Sequence, residues 1–223
     1  MVESIISTGV AIGCIYALIG ITYNVMFSAS RVFSFTAGTL GMLGGVLGAL
    51  FIAQMGVPLI AGFLLVLAAG AVFGIVTEIV AVRPVLKSLD QHLYVLSTLA
   101  LALMVQQFTA IEWGTESRPF PRLFDIARSD FDQELWLPML ACAAVIIGLE
   151  LLFRYTLIGR AFLAISEDNY AARALGLPER GLRMASFALA GMIGALAGFA
   201  GGERCCSPSS AMRQFSRSMA SFR

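Results

Sequence analysis

The sequence predicts an all-α fold: a polytopic bundle of about six transmembrane helices. Three observations lead there. Hydrophobic residues make up 58% of the 223 residues and charged residues only 13%, about half the charged share of an ordinary soluble domain. The apolar residues gather into runs near the length of about 20 that a helix needs to cross the hydrocarbon core. Lipid offers no partner for open backbone groups, and the strict alternation of a transmembrane strand is absent from these runs.

The first run, Ile5–Phe27, reads as a span that stays in the membrane. Glu3 precedes it where a signal peptide carries a basic residue, and it is too long for a signal-peptide core. The second run is Val32–Ala53, with the pairs Gly41/Gly45 and Gly44/Gly48. The third is Val57–Ala81, with Gly70/Gly74. The fourth and fifth are Leu93–Ile111 and Leu135–Phe153. The sixth is Met184–Gly202, with Gly194/Gly198 and Gly198/Gly202. Small residues four apart let helix backbones approach closely in lipid. They serve either bundle packing or a thin wall along a pathway.

Charges between the runs orient the chain. Arg31 lies in the first connection. Arg83 and Lys87 lie in the third, against Asp90. Arg154, Arg160, Arg173, Arg180 and Arg183 lie in the fifth. These odd connections share one side, which the excess of basic residues makes cytoplasmic. The fourth connection, Glu112 to Glu134, holds six acids and three arginines and belongs on the other side. The N-terminus is then outside.

Several classes of function are disfavoured. A net charge of +1 with one His gives no footprint for nucleic acid. Cys14 and Cys142 sit within apolar runs and Cys205 and Cys206 are adjacent, so no zinc-like spacing exists; neither metal nor cofactor is expected. His92 stands alone, which argues against an enzyme. Glu78, Glu112 and Glu150 lie near span ends, where pairing of Glu78 and Glu150 with Arg83 or Arg154 is the plain expectation. No span carries the mid-membrane charges of a proton-driven pump.

The segment Gly159 to Arg183, GRAFLAISEDNYAARALGLPERGLR, is different. It is a polar, helix-forming stretch of 25 residues between two apolar runs. Ala164, Ala171, Ala172 and Leu175 fall on one helical face, and Gly176 with Pro178 ends that helix. A small-residue face suits a groove in a protein, whereas a lipid-surface helix carries bulkier apolar residues and more Lys.

Its residue order resembles the cytoplasmic coupling loop of ABC-transporter permeases, in the form found in the branched-chain amino acid permease family. The matching positions are Gly159, Arg160, Ala161, Ala164, Glu167, Asp168, Ala171, Ala172, Leu175, Gly176 and Arg183. Glu78–Pro84 (EIVAVRP) is similar to that family's Glu…Arg-Pro segment after the third span. Gly13–Leu18 (GCIYAL) is similar to its Gly-x-Ile-Tyr-Ala-Leu opening. The resemblance covers about residues 5–202.

It implies a permease subunit in a bacterial plasma membrane, embedded in lipid. The implied partners are a second permease subunit, cytoplasmic ATPase subunits gripping the loop at 159–183, and an outside substrate-binding protein. The acidic 112–134 connection is a candidate contact for that binding protein. ATP chemistry would sit on a separate subunit, and this chain has no GxxxxGK[ST] loop. Relatives often carry Asn-Phe-Ala-His-Gly-Glu in the second span. Here the stretch is Ser34, Phe35, Thr36, Ala37, Gly38, Thr39, so the His and Glu positions are filled by Ala37 and Thr39. The expected pathway positions are Ser34, Thr36, Gly38, Thr39 and Gly41. Branched aliphatic amino acids are the first substrate class, with other amino acids, urea-like amides and short-chain acids open. The alternative is a stand-alone secondary transporter or channel for a small polar solute.

From Glu203 the composition changes. ERCCSPSSAMRQFSRSMASFR has six Ser, four Arg and no Leu, Ile or Val. The expectation is a permease domain over 1–202, incomplete through truncation or a frameshift near Gly202, followed by a non-native polar tail over 203–223. A native disordered tail is the competing reading.

Overall fold

The computed structural model describes residues 2–30, 34–51, 58–85, 93–113, 133–167 and 178–205. Every regular element among them is helical. Helix α1 is Val2–Ser30, α2 Thr36–Ala49, α3 Leu59–Thr77, α4 Leu93–Trp113, α5 Gln133–Tyr155, α6 Leu157–Glu167 and α7 Glu179–Cys205. Helix α3 continues into one π-helical turn, Glu78–Val82.

Five of these helices are long and apolar enough to cross a membrane, over Thr8–Ser28, Ile60–Val82, Val95–Trp113, Pro138–Tyr155 and Arg180–Gly202. The chain is thus an all-α polytopic bundle. Helix α2 is regular α-helix over 14 residues, and Leu50 and Phe51 continue it with π-helical winding. Val32, Phe33, Ile52 and Ala53 of the expected run lie outside the described residues.

Helices α3 and α7 start alike. Pro58 and Pro178 each precede the first helical residue, and their carbonyls accept the amides of Gly62 at 3.0 Å and Leu182 at 3.1 Å. Proline suits a helix start because its missing N–H would have no partner there. Helix α7 therefore begins five residues before the expected Met184, and Arg180 and Arg183 belong to it rather than to the connection. Its apolar stretch ends at Gly202, and the helix runs to Cys205. Residues 206–223 lie outside the described residues.

Helix α7 is the centre of the bundle, packed against α1, α2 and α3. Its crossing stretch is 61% buried, against 28% at most in the other four spans. Glycine makes this possible. Along α3, Gly70 meets the Gly191 carbonyl and Gly74 the Phe187 carbonyl, so a Cβ at either position would overlap the facing backbone. Along α2, a Cβ on Gly44 would overlap Ala195, and one on Gly45 would lie 3.2 Å from the Gly198 carbonyl. These contacts run up both chains on the α2 side and in opposite senses on the α3 side. Helix α7 is therefore parallel to α2 and antiparallel to α3. It is antiparallel to α1 also, where Thr22 lies by Gly194 and Ile15 by Gly201. The directions agree with one crossing per helix, α2 included.

The outer helices turn apolar side chains outward. Leu96, Leu103, Met104, Phe108 and Ile111 of α4 are exposed, as are Leu140, Ile146, Ile147 and Leu151 of α5, as befits surfaces made for lipid or another membrane subunit. Helix α5 packs on α1, and Cys142 of α5 and Cys14 of α1 lie in the same apolar cluster.

Two outcomes test this packing. G74A and G198A should each destabilise the bundle by about 1–3 kcal/mol, the usual range for overpacking, and lower its thermal midpoint in detergent. G148A, where a Cβ meets nothing within 4 Å, should leave the midpoint unchanged or raise it, since Ala is the better helix former. In a C205S/C206S background, mild oxidation should protect Cys14 and Cys142 from maleimide labelling under denaturing conditions, with reduction restoring both. Continued labelling after oxidation would contradict the α1–α5 contact.

Candidate functional site

One end of the bundle gathers the exposed arginines Arg83, Arg154, Arg160 and Arg180. It also carries the short helix α6, and its geometry begins at Thr156. This residue interrupts the helical path between α5 and α6. Its hydroxyl donates to the Leu152 carbonyl and accepts the Gly159 amide at 3.0 Å. Its carbonyl accepts the Arg160 amide at 3.1 Å. Thr156 is thus the N-cap of α6, satisfying an amide that the first helical turn leaves open. Gly159 is buried against the last turn of α5, and a Cβ there would overlap Leu152 and Phe153 backbone atoms. The glycine lets α6 lie close on α5. The rings of Phe153 and Phe162 then pack at 5.5 Å between centroids.

Helix α6 has two faces. Phe162 and Ile165 are buried, in one apolar cluster with Met26 of α1, Val82 of the π turn, Cys142 of α5 and Leu182 of α7. Arg160, Leu163, Ala164 and Glu167 are exposed. Leu157 and Ile158 add to the outward surface, so it is bulkier than a stripe of small residues. The expected helical face is described only at Ala164. Asp168, Ala171, Ala172, Leu175 and Gly176 lie outside the described residues, as does His92.

The π turn and α7 meet beside this cluster. Arg83 N–H donates to the Glu78 carbonyl at 2.8 Å, an i to i+5 bond that defines the wider turn. The carbonyl of Ala81 accepts the Ser97 hydroxyl of α4 at 3.0 Å. Glu78 does not pair with Arg83, which points outward. Its Oε1 accepts Nε–H of Arg183 at 3.0 Å, with the two side chains 1% and 8% exposed. The expected pairing fails because α7 starts early and brings Arg183 inside the bundle. Removing one member of a buried pair strands a charge, at a cost of about 3–5 kcal/mol. Glu150 pairs with Arg154 at 3.8 Å, as expected. Both side chains are well exposed there, so the contact is worth little.

The five positions expected along a pathway do not share one face. Ser34 and Thr36 are buried, with their hydroxyl oxygens 2.7 Å apart. Thr39 is half-buried and donates to the Thr36 carbonyl at 2.7 Å. Gly38 is exposed. Gly41 is buried in the α2–α7 contact, where a Cβ on Gly198 would overlap its carbonyl. Among the described residues no group of three or more His, Cys, Asp or Glu could hold a metal ion.

Sequence reasoning missed Thr156, the burial of Arg183 and the tight contact at Gly191. A Thr three residues before a helical Gly is a readable N-cap. The other two needed the identity of the facing helix.

A family model described as the permease component of branched-chain amino acid transport systems matches residues 5–204. Among curated proteins, the chain is similar to the high-affinity branched-chain amino acid transport system permease protein LivH of Escherichia coli strain K12. The identity is 26% over 207 residues, covering 85% of this chain and 67% of the relative. LivH of Salmonella typhimurium matches to the same extent. BraD of Pseudomonas aeruginosa, a permease protein of the same description, is 25% identical over 206 residues with the same coverage. No solved structure matches.

The seating of α6 is open to test. F162A should cost about 3–5 kcal/mol and T156A about 0.5–2 kcal/mol, both read as a lower thermal midpoint and faster proteolysis after Arg160. L163A, on the exposed face, should stay within about 0.5 kcal/mol of the parent.

Proposed function

This chain belongs to the family of branched-chain amino acid transport system permease components, and from that premise we propose that it is a membrane-spanning subunit of an ATP-driven importer. It is a transport component rather than an enzyme. Helix α6 and the connection that follows it form the docking element for a separate cytoplasmic ATPase. The observation that carries this reading is the division of α6. Phe162 and Ile165 are sunk into the bundle while Arg160, Leu163, Ala164 and Glu167 are left outside. A helix anchored on one face and open on the other can transmit a push from a partner. Asp168, Ala171, Ala172, Leu175 and Gly176 would extend the docking element.

The arginine-bearing end is then cytoplasmic and the N-terminus lies outside, in keeping with the positive-inside bias and with the parallel and antiparallel packing of α7. A second permease subunit would complete the pathway, and a substrate-binding protein would deliver solute near the acidic 112–134 connection. Branched aliphatic amino acids are the favoured cargo. Ser34, Thr36, Gly38, Thr39 and Gly41 are the candidate pathway positions. Residues 1–202 are the permease domain in this reading, and 203–223 a separate polar tail.

Co-purification with the cytosolic ATPase subunits tests the docking. A164R and E167R change only outward residues, so both should leave the thermal midpoint in place. Both should cut ATPase recovery and energised uptake at least tenfold. Undiminished recovery and uptake in both would sink the coupling reading. Uptake by the chain alone in proteoliposomes would favour a stand-alone transporter.

A further inference from the structure

We propose that the buried Glu78–Arg183 pair is a positioning element of the transport cycle. It holds the register of α3 on α7 and carries displacement of α6 into the membrane-spanning contact between them. This rests on the reading of α6 as an ATPase-docking helix.

Three observations point to this role. The first is register. Steps of four residues down α3 match steps of four up α7: Gly70 faces Gly191, Gly74 faces Phe187, and Glu78 faces Arg183. The ion pair is the next contact in the same seam. The small residues of that seam distinguish registers poorly, because Gly70 already touches Ala195 one turn further on. Sliding by one turn would change the glycine contacts little but would separate two buried charges. Fixing register is the best-attested use of buried polar groups.

The second observation is place. Val82 lies in the same π turn as Glu78, and Leu182 immediately precedes Arg183. Both are buried in one cluster with Phe162 and Ile165, the inward residues of α6. Any movement of α6 therefore presses on the backbone that carries the two charges. The π turn is itself a wider, less regular winding of the kind often found at functional sites.

The third is incomplete satisfaction. Oε2 of Glu78 is buried and has no hydrogen-bond partner among the described residues. Buried carboxylates normally use both oxygens. A contact made through one oxygen leaves the second able to accept a donor when the helices shift. A static pillar would close both.

The test compares uptake with hydrolysis in the assembled transporter, using radiolabelled leucine as the probe. E78Q should retain ATPase co-purification, with ATP hydrolysis within twofold of the parent, while leucine moved per ATP falls at least tenfold. The charge swap E78R/R183E should recover at least a third of that ratio. A purely structural role would lower assembly, hydrolysis and uptake together and leave the ratio unchanged, which would overturn the proposal. If E78Q does not reach the membrane, R183K takes its place, keeping the cation but removing the Nε–H donor, with the same ratio expected to fall. Spin labels at V80C and G181C, both at exposed positions, give an independent reading. Their separation should change when the ATPase binds a non-hydrolysable nucleotide, and an unchanged separation counts against the proposal. Loss of ATPase binding to the unmodified chain would instead remove the docking reading itself.

Discussion

The structure depends on how closely the backbone of α7 approaches those of α2 and α3. In lipid the apolar side chains gain nothing by leaving the solvent, since the tails are as apolar as they are. Helices associate through packing and through polar contacts. Here the packing is backbone on backbone: Gly44 of α2 on one side of α7 and Gly70 and Gly74 of α3 on the other, with Gly191 and Gly198 of α7 itself between them. Each lacks the Cβ that would hold the helices apart. With α1 closing the third side, α7 is the most buried of the five spans, and the outer helices arrange themselves around it.

That closeness permits the charge at the end of the seam. A carboxylate inside a bundle is costly, and Glu78 is tolerated because the approach of α7 brings Arg183 within 3.0 Å. The glycines and the ion pair are thus one arrangement, small residues where the chains touch and opposite charges where the contact ends. Helix α6 sits on that end, capped by Thr156 and folded back at Gly159. Packing deep in the membrane and the wet surface of the molecule meet within a few residues.

Much of the fold was legible in the sequence because bilayer thickness imposes run length. Helices α1, α3, α4 and α5 fall within a few residues of the apolar runs that forecast them. The pairs Gly41/Gly45, Gly70/Gly74 and Gly194/Gly198 were recognisable by spacing, and each lies at a helix contact. The partner of each glycine was not legible, since spacing along one helix says nothing about which helix it faces. Arg183 was read as a connecting residue because a charge near an apolar run resembles a boundary. Only the depth to which α3 carries Glu78 makes it interior. At the candidate site, Gly159 had a recognisable place in a motif, but its physical task, a close approach to Leu152 and Phe153, appears only with the fold in hand.

The central position of α7 also has a consequence for biosynthesis. The ribosome makes it after every helix it packs against, and chains are built at about 5–20 residues per second. The glycine faces of α2 and α3 are therefore in the bilayer for several seconds before the helix that fills them emerges. During that interval the nascent chain is a loose set of inserted helices with an unpartnered Glu78 among them. Insertion and compaction are separate events in this protein, and arrival of the Arg180–Gly202 stretch joins them. A chain interrupted before that point would be threaded into the membrane yet have no core, which makes it a natural target for membrane proteolysis.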